Sequence, residues 1–258
     1  MRLPAVLAVL LLLACSGGSP SPPPRPELTV LAAASLAPVL PEIVSAYEAA
    51  HGLRITTAFE ASNSLRRRIE QGAPGDLFLS ADRREPRALE AAGLAAPAAD
   101  YARNRLVIVA RPGVVADVFD LARPGLRLVA ASPAVPAGAY ADELVQGLAR
   151  APGAPAGFAA DVAANILSRE ADVRGVLARV VLGEADAGFV YSSDAYERRQ
   201  LEVLPIPTGV VEPEVVYAGV VLLGSAHHGQ AEALLRALRE PAAQAVFVRH
   251  GFLPLVDQ

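Results

Sequence analysis

Four places in this 258-residue chain carry residue patterns with a clear chemical use: Ala34-Ser35-Leu36, Ala61-Ser62-Asn63, Val135-Pro136-Ala137-Gly138 and Asp172-Val173-Arg174. Each stands at a strand-to-helix junction or opens a helix. The first turn of a helix leaves backbone N–H groups without intrahelical acceptors, and its dipole favours negative charge. A serine hydroxyl there adds a neutral donor, and small residues let backbone N–H groups come close to an anion. In open α/β sheets ligands collect at the carboxyl ends of strands, where such junctions converge. Alone, each serine is equally an ordinary helix cap. As a set, the junctions suit a tetrahedral oxoanion, which takes about two donors per oxygen.

Catalytic motifs are absent. There is no Gly-x-Ser-x-Gly elbow, Walker loop, Gly-x-Gly-x-x-Gly or His-Glu-x-x-His. His51 and His250 each precede a glycine at an apparent helix end, where a cation complements the dipole, and His227-His228 reads as a solvated turn. The sequence therefore points to a binding protein, not an enzyme. A net charge of −4, with every one of the 23 basic residues an arginine, provides no basic field for nucleic acid. Apolar residues make up 53% and aromatic ones 5%, a surplus of Ala, Val and Leu that suits helices packed on parallel strands.

The elements that must position the junctions follow in order. Leu28 to Ala34 reads as a buried strand, and Leu36 to Ala50 as a helix with Ile43, Val44 and Tyr47 on one face; Pro41 makes its first turn irregular. Leu53 to Phe59 is a strand, Leu65 to Gln71 a helix, Asp76 to Ala81 a strand, and Asp82 caps a helix to about Gly93. Asn104 to Ala110 is a strand that crosses into a second lobe. There Leu126 to Ala131 and Ala187 to Tyr191 are strands, with helices from Ala139 to Arg150 and from the Asp172 segment to Gly183. Val203 to Ile206 and Val215 to Leu223 are strands, and helices run from Gln230 to Arg239 and Pro241 to His250. The alternation implies parallel sheets.

Met1-Arg2, the apolar run Leu3 to Leu13 and Leu12-Leu13-Ala14-Cys15 look like a bacterial lipobox, so residues 1–14 read as a signal peptide and Cys15, the only cysteine, as the lipidated residue. An ordinary secretory signal with an incidental cysteine is the other reading. Residues 15–27 are a Pro/Ser/Gly tether that, as a polyproline II spacer, reaches about 30 Å. The folded body is expected to begin near Leu28.

The chain resembles the periplasmic molybdate-binding proteins of ABC importers from Leu28 to Pro254. The segments that carry the likeness are Ala32-Ala33-Ala34-Ser35-Leu36, Gly72-Ala73-Pro74-Gly75-Asp76-Leu77-Phe78-Leu79-Ser80-Ala81-Asp82, Asn104-Arg105-Leu106-Val107, Val135-Pro136-Ala137-Gly138-x-Tyr140-Ala141, Asp172-Val173-Arg174-Gly175 and Val190-Tyr191-x-Ser193-Asp194-Ala195. The resemblance implies a periplasmic-binding fold of type II, with two similar lobes, each a mainly parallel sheet flanked by helices, and two hinge crossings. Residues 28–104 with 214–258 would form the first lobe and 105–213 the second. It further implies that molybdate, or tungstate, lies between the lobes, held by Ser35, Ser62, Ala137, Val173 and Tyr191, as the one metal-containing ligand and with no cofactor. The implied setting is periplasmic or otherwise extracytoplasmic, as a lipid-anchored monomer that delivers its ligand to an ABC permease and its ATPase subunit. Glu60-Ala61, Asn63 and Pro41 depart from the family pattern. Glu60 is expected to face solvent, because a carboxylate facing a dianion is repelled. A receptor for sulfate or phosphate on the same scaffold, and an esterase-type enzyme on a bilobal scaffold, are the alternatives.

Overall fold

A computed structural model describes residues 26–196 and 198–255. The signal segment, Cys15 and nearly all of the tether lie outside the described residues. Strand β1 (Glu27–Ala33) ends in a 3-10 turn over Ala34–Leu36, and helix α1 (Leu40–His51) starts only after it. Pro41 thus stands in the first turn of α1, where its missing N–H has no intrahelical partner to lose. Gly52, in the left-handed region at φ 65°, closes the helix. β2 (Arg54–Glu60), α2 (Ser62–Glu70), β3 (Leu77–Leu79), α3 (Arg84–Ala91) and β4 (Ala99–Asn104) complete the first passage.

After one linking residue, Arg105, the chain enters a second sheet with β5 (Leu106–Ala110), β6 (Leu128–Ala131), α4 (Pro136–Ala149), α5 (Phe158–Asn165), β7 (Ile166–Glu170), α6 (Val173–Val181), β8 (Ala187–Tyr191), the short α7 (Ser192–Ala195) and β9 (Glu202–Leu204). It returns in β10 (Val215–Val221) and ends in α8 (His228–Ala237) and α9 (Pro241–Arg249).

The strand orders are β2-β1-β3-β10-β4 and β7-β6-β8-β5-β9. Both sheets are mixed where the alternation implied parallel ones. β10 runs antiparallel to β3 and β4, and β5 antiparallel to β8 and β9. The cause is connectivity: β5 and β10 each arrive directly from the other sheet, so no helical crossover forces them parallel to their new neighbours. The strand expected over Asn104 to Ala110 is β5 from Leu106 onward, while Asn104 is the last residue of β4, whose residues 99–103 had no sequence assignment. α5 and β7 had no sequence assignment at all.

Alternate residues of the first sheet face opposite layers. Val30, Ala32, Leu77 and Leu79 join the core shared with α1, α8 and α9, while Leu31, Phe78 and Val220 meet Leu65 and Ile69 of α2 and Leu89 of α3. Strands β5, β8 and β10 are buried along their whole length. Asp186 fastens the second sheet at the end remote from Tyr191. It accepts the Arg127 N–H at 3.0 Å and the Arg127 guanidinium at 2.6 and 3.1 Å, with Arg111 at 3.4 Å.

The Arg127 side chain holds the Asp186 carboxyl below its usual range. A carboxyl with a depressed folded pKa contributes its stability above the unfolded value and loses it as pH falls through the folded one. Asp186→Asn is therefore expected to cost about 1.5–3 kcal/mol at neutral pH. In urea unfolding the gap from wild type should stay constant down to the ordinary carboxylate range and close only below it.

Candidate functional site

Register brings the first two serines together. β1 and β2 are parallel with Ala33 opposite Glu60, and each serine comes two residues later, so Ser35 and Ser62 emerge side by side at the carboxyl edge of the first sheet. The second sheet repeats the arrangement. β6 and β7 are parallel with Ala131 opposite Glu170, and their continuations reach the N-termini of α4 and α6. Tyr191 ends β8, on the other side of β6.

All five sequence-expected residues, Ser35, Ser62, Ala137, Val173 and Tyr191, line one cavity between the two sheets, with Ala81 and Asp172 also in its wall. Its volume is about 20 Å³, a little above the ~10–15 Å³ that one water needs. A space this small suits a ligand of few atoms. A depression of about 580 Å³ beside β4 is larger, lined by Arg83, Arg87, Arg103 and Arg239 with Asp100 and Glu214. Among the described residues it gathers no unpartnered buried side-chain group, and Arg83 there is already held by Asp100 at 2.6 Å.

Each donor in the small cavity has a local cause. Pro136 occupies the first position of α4 and offers no N–H, so Ala137 presents the first free one. Gly138 permits this turn, since a Cβ there would lie 2.0 Å from the Ser132 carbonyl oxygen. In α6, Asp172 accepts the Arg174 and Gly175 N–H groups at 2.9 and 3.0 Å, leaving the Val173 N–H for a ligand. Gly188 lets α6 lie close on β8, because a Cβ there would meet Val129 and Val176 at 2.9 Å.

The hydroxyls are set as donors too. Ser62 Oγ accepts the Ala81 N–H at 3.1 Å and keeps its own proton for another partner. Ser35 Oγ shares a 2.9 Å hydrogen bond with the Tyr217 hydroxyl. The Tyr191 hydroxyl is the one buried side-chain polar atom among the described residues with no hydrogen-bond partner, a condition that native structures rarely leave unexplained. Burial pushes its pKa well above the usual tyrosine value, so it stays protonated and can donate.

Glu60 turns away from the cavity to an exposed ion pair with Arg68, and Asn63, though buried, does not line it. His51 stacks on Tyr47 with ring centroids 3.9 Å apart, and His250 meets Glu42 at 2.9 Å; both sit at helix ends. Tyr217 and Asn104 were not among the site residues expected from the sequence, although Asn104 opens a segment that carries the family resemblance. The available signal was a single hydroxyl in the otherwise apolar Val215–Val221 strand.

A family model described as "Bacterial extracellular solute-binding protein" matches residues 28–253. The chain is 33% identical to a molybdate-binding protein of Mycobacterium tuberculosis, over 93% of this chain and 92% of the relative. Among solved structures, the periplasmic molybdate-binding protein of Azotobacter vinelandii superposes with a TM-score of 0.76 at 23% identity, covering 90% of this chain and 100% of that one. A sulfate-binding protein of Mycobacterium tuberculosis gives 0.77 at 22%, covering 90% and 88%. At these identities the two structures establish the fold alone.

Asp194, three residues past Tyr191, is buried, and burial raises its pKa to about 7 against the opposing Tyr191 N–H, which it accepts at 3.2 Å. Arg174 and Asp172 at the start of α6, Arg198, and the rings of Tyr191 and Tyr217 face it. Rising pH ionises Asp194 and adds a negative charge behind the site. Affinity for a dianion is expected to fall by on the order of tenfold as pH rises through 7, and to stay flat in Asp194→Asn. Titration calorimetry at pH 6 and 8 on both proteins measures this.

Proposed function

Because the chain belongs to the bacterial extracellular solute-binding proteins, a family of extracytoplasmic binders and not of enzymes, we propose that it captures molybdate, and tungstate with it, and delivers the anion to an ABC permease and its ATPase subunit. The supporting observation is the buried, unpartnered Tyr191 hydroxyl in a cavity that also receives two serine hydroxyls and the first free N–H groups of α4 and α6. In this reading residues 28–104 with 214–258 form one lobe, 105–213 the other, and Cys15 carries the lipid that keeps the monomer at the membrane.

The hydroxyls of Ser35, Ser62 and Tyr191, the N–H groups of Ala137 and Val173, and the N–H groups of the two serines give roughly seven donors, each worth about 1.5–3 kcal/mol toward a charged acceptor. Association and lobe ordering offset much of that, leaving nanomolar to micromolar affinity. Donors come from both lobes, so the anion favours the closed arrangement, and the crossings near residues 104 and 214 absorb the motion. Neutral donors do not sort anions by charge. Size does: a cage that fits molybdate leaves the shorter bonds of sulfate with unmade contacts. Sulfate is the second reading, on a fold that a sulfate-binding protein also has. The outward turn of Glu60 removes the repulsion that would have argued against a dianion here.

Calorimetry with molybdate, tungstate, sulfate and phosphate is the test. Heat from the first two and none from the others is expected; preference for sulfate would transfer the assignment to it, and no heat from any would end the oxoanion reading. In the same titration Tyr191→Phe should weaken binding by about 1–2 kcal/mol. Unchanged affinity would reduce Tyr191 to a core residue.

A further inference from the structure

Behind Ser35 lies a chain of buried hydrogen bonds that reaches both passages of the backbone between the sheets. The Asn104 amide, at the end of β4, has its orientation set by the Arg105 N–H, which donates to Asn104 Oδ1 at 2.9 Å. Ser192 Oγ lies 2.8 Å from the same oxygen and 2.8 Å from the Gly251 carbonyl oxygen, two acceptors for its one proton. Nδ2 must then face the other way, where it donates to Ser193 Oγ at 2.9 Å and to the Tyr217 hydroxyl oxygen at 3.4 Å. Ser35 Oγ is 2.9 Å from the Tyr217 hydroxyl and either could donate; with Tyr217 already accepting from Asn104, the direction that leaves no proton stranded runs from Tyr217 to Ser35. The Tyr217 ring cannot swing aside. It is wholly buried and held edge-on by Tyr191 at 5.8 Å and Phe252 at 5.4 Å between ring centroids.

We infer that Asn104 and Tyr217 are positioning residues, forming a one-way donor relay that leaves the Ser35 proton a single outlet, the cavity, and that ties this contact to both crossings of the chain. The inference rests on the oxoanion reading. A polarised series of donors strengthens its last member, and a hydroxyl whose lone pair is already occupied needs no reorientation when an anion arrives. The relay also gives the two lobes a shared footing, since Ser192 and Ser193 directly follow Tyr191 in α7 while Tyr217 lies in β10 of the first sheet.

The experiment is a double-mutant cycle read by calorimetry with molybdate on wild type, Tyr217→Phe, Ser35→Ala and the double variant, with thermal unfolding of each ligand-free protein as the folding control. Tyr217→Phe is expected to lose about 5- to 20-fold in affinity, and to lose nothing further in the Ser35→Ala background, because its effect passes through that hydroxyl. An equal loss in both backgrounds, or none in the first, overturns the relay. Should Tyr217→Phe fail to fold, Asn104→Ala takes its place in the same cycle with the same expected coupling to Ser35. Wild type that binds no oxoanion fails the parent reading, and the relay with it. Wild type that binds while the cycle is additive fails the relay alone.

Discussion

Two parallel strand pairs run toward one cleft, and the alignment of Ala33 with Glu60 and of Ala131 with Glu170 decides where Ser35, Ser62, Ala137 and Val173 lie, with Tyr191 brought in by β8. Strand periodicity is two, so a slip of one residue in either pair would turn a serine or a helix start toward the core and carry apolar groups into the cleft. In β1 and β6 burial on both faces opposes the slip. β1 places Leu31 against α2 and α3, and Val30 and Ala32 against the opposite layer, so no other register satisfies both cores. The site is thus a by-product of core packing, set several residues upstream of the groups that would touch a ligand.

Among the described residues, the cavity wall holds no arginine or histidine. Asp172, the one charged residue there, spends an oxygen on capping α6, and Arg68 of α2 is engaged by Glu60 at the surface. Charge compensation must therefore come from dipoles: the helix starts of α4 and α6 and oriented hydroxyls. Such a lining is rigid in a way that long cationic side chains are not. The close approaches at Gly138 and Gly188 fix the two helices to their strands, so the donor positions have little freedom to follow a smaller guest.

Much of this was legible in the sequence. Ser35, Ser62 and the stretches Val135 to Gly138 and Asp172 to Arg174 were marked by small and hydroxylated residues at element junctions, which is a local signal, and the family likeness singled out Ala137, Val173 and Tyr191. What escaped was non-local. β7 is an exposed edge strand of five residues, Ile166 to Glu170, with alternating half-buried positions and too little apolar content to stand out, although it is the partner that aims Val173. The antiparallel setting of β5 and β10 depends on which sheet each strand joins, a property of topology that periodicity does not encode. Tyr217 looked like one more aromatic residue in a buried strand. Only the fold, by bringing residues 35, 104, 193 and 217 together, makes its hydroxyl significant. Pro41 looked like a defect because the helix was expected to begin at Leu36, and it becomes an ordinary first-turn proline once the 3-10 turn is seen.

Asn104 faces Val215 across the ladder, so the outgoing and returning chains leave the first sheet from the same rung. One link is the single residue Arg105, and the other runs from the end of β9 at Leu204 to Val215. A short strap and a long one rooted at one point constrain a body as a pivot and a tether do. Translation of the second sheet away from the first is blocked by the short link, while rotation about that rung is taken up by the slack in the long one. Opening would then be a swing with a fixed axis, its lever arm running from the rung to the cleft, and the cavity edge farthest from Asn104 would part first.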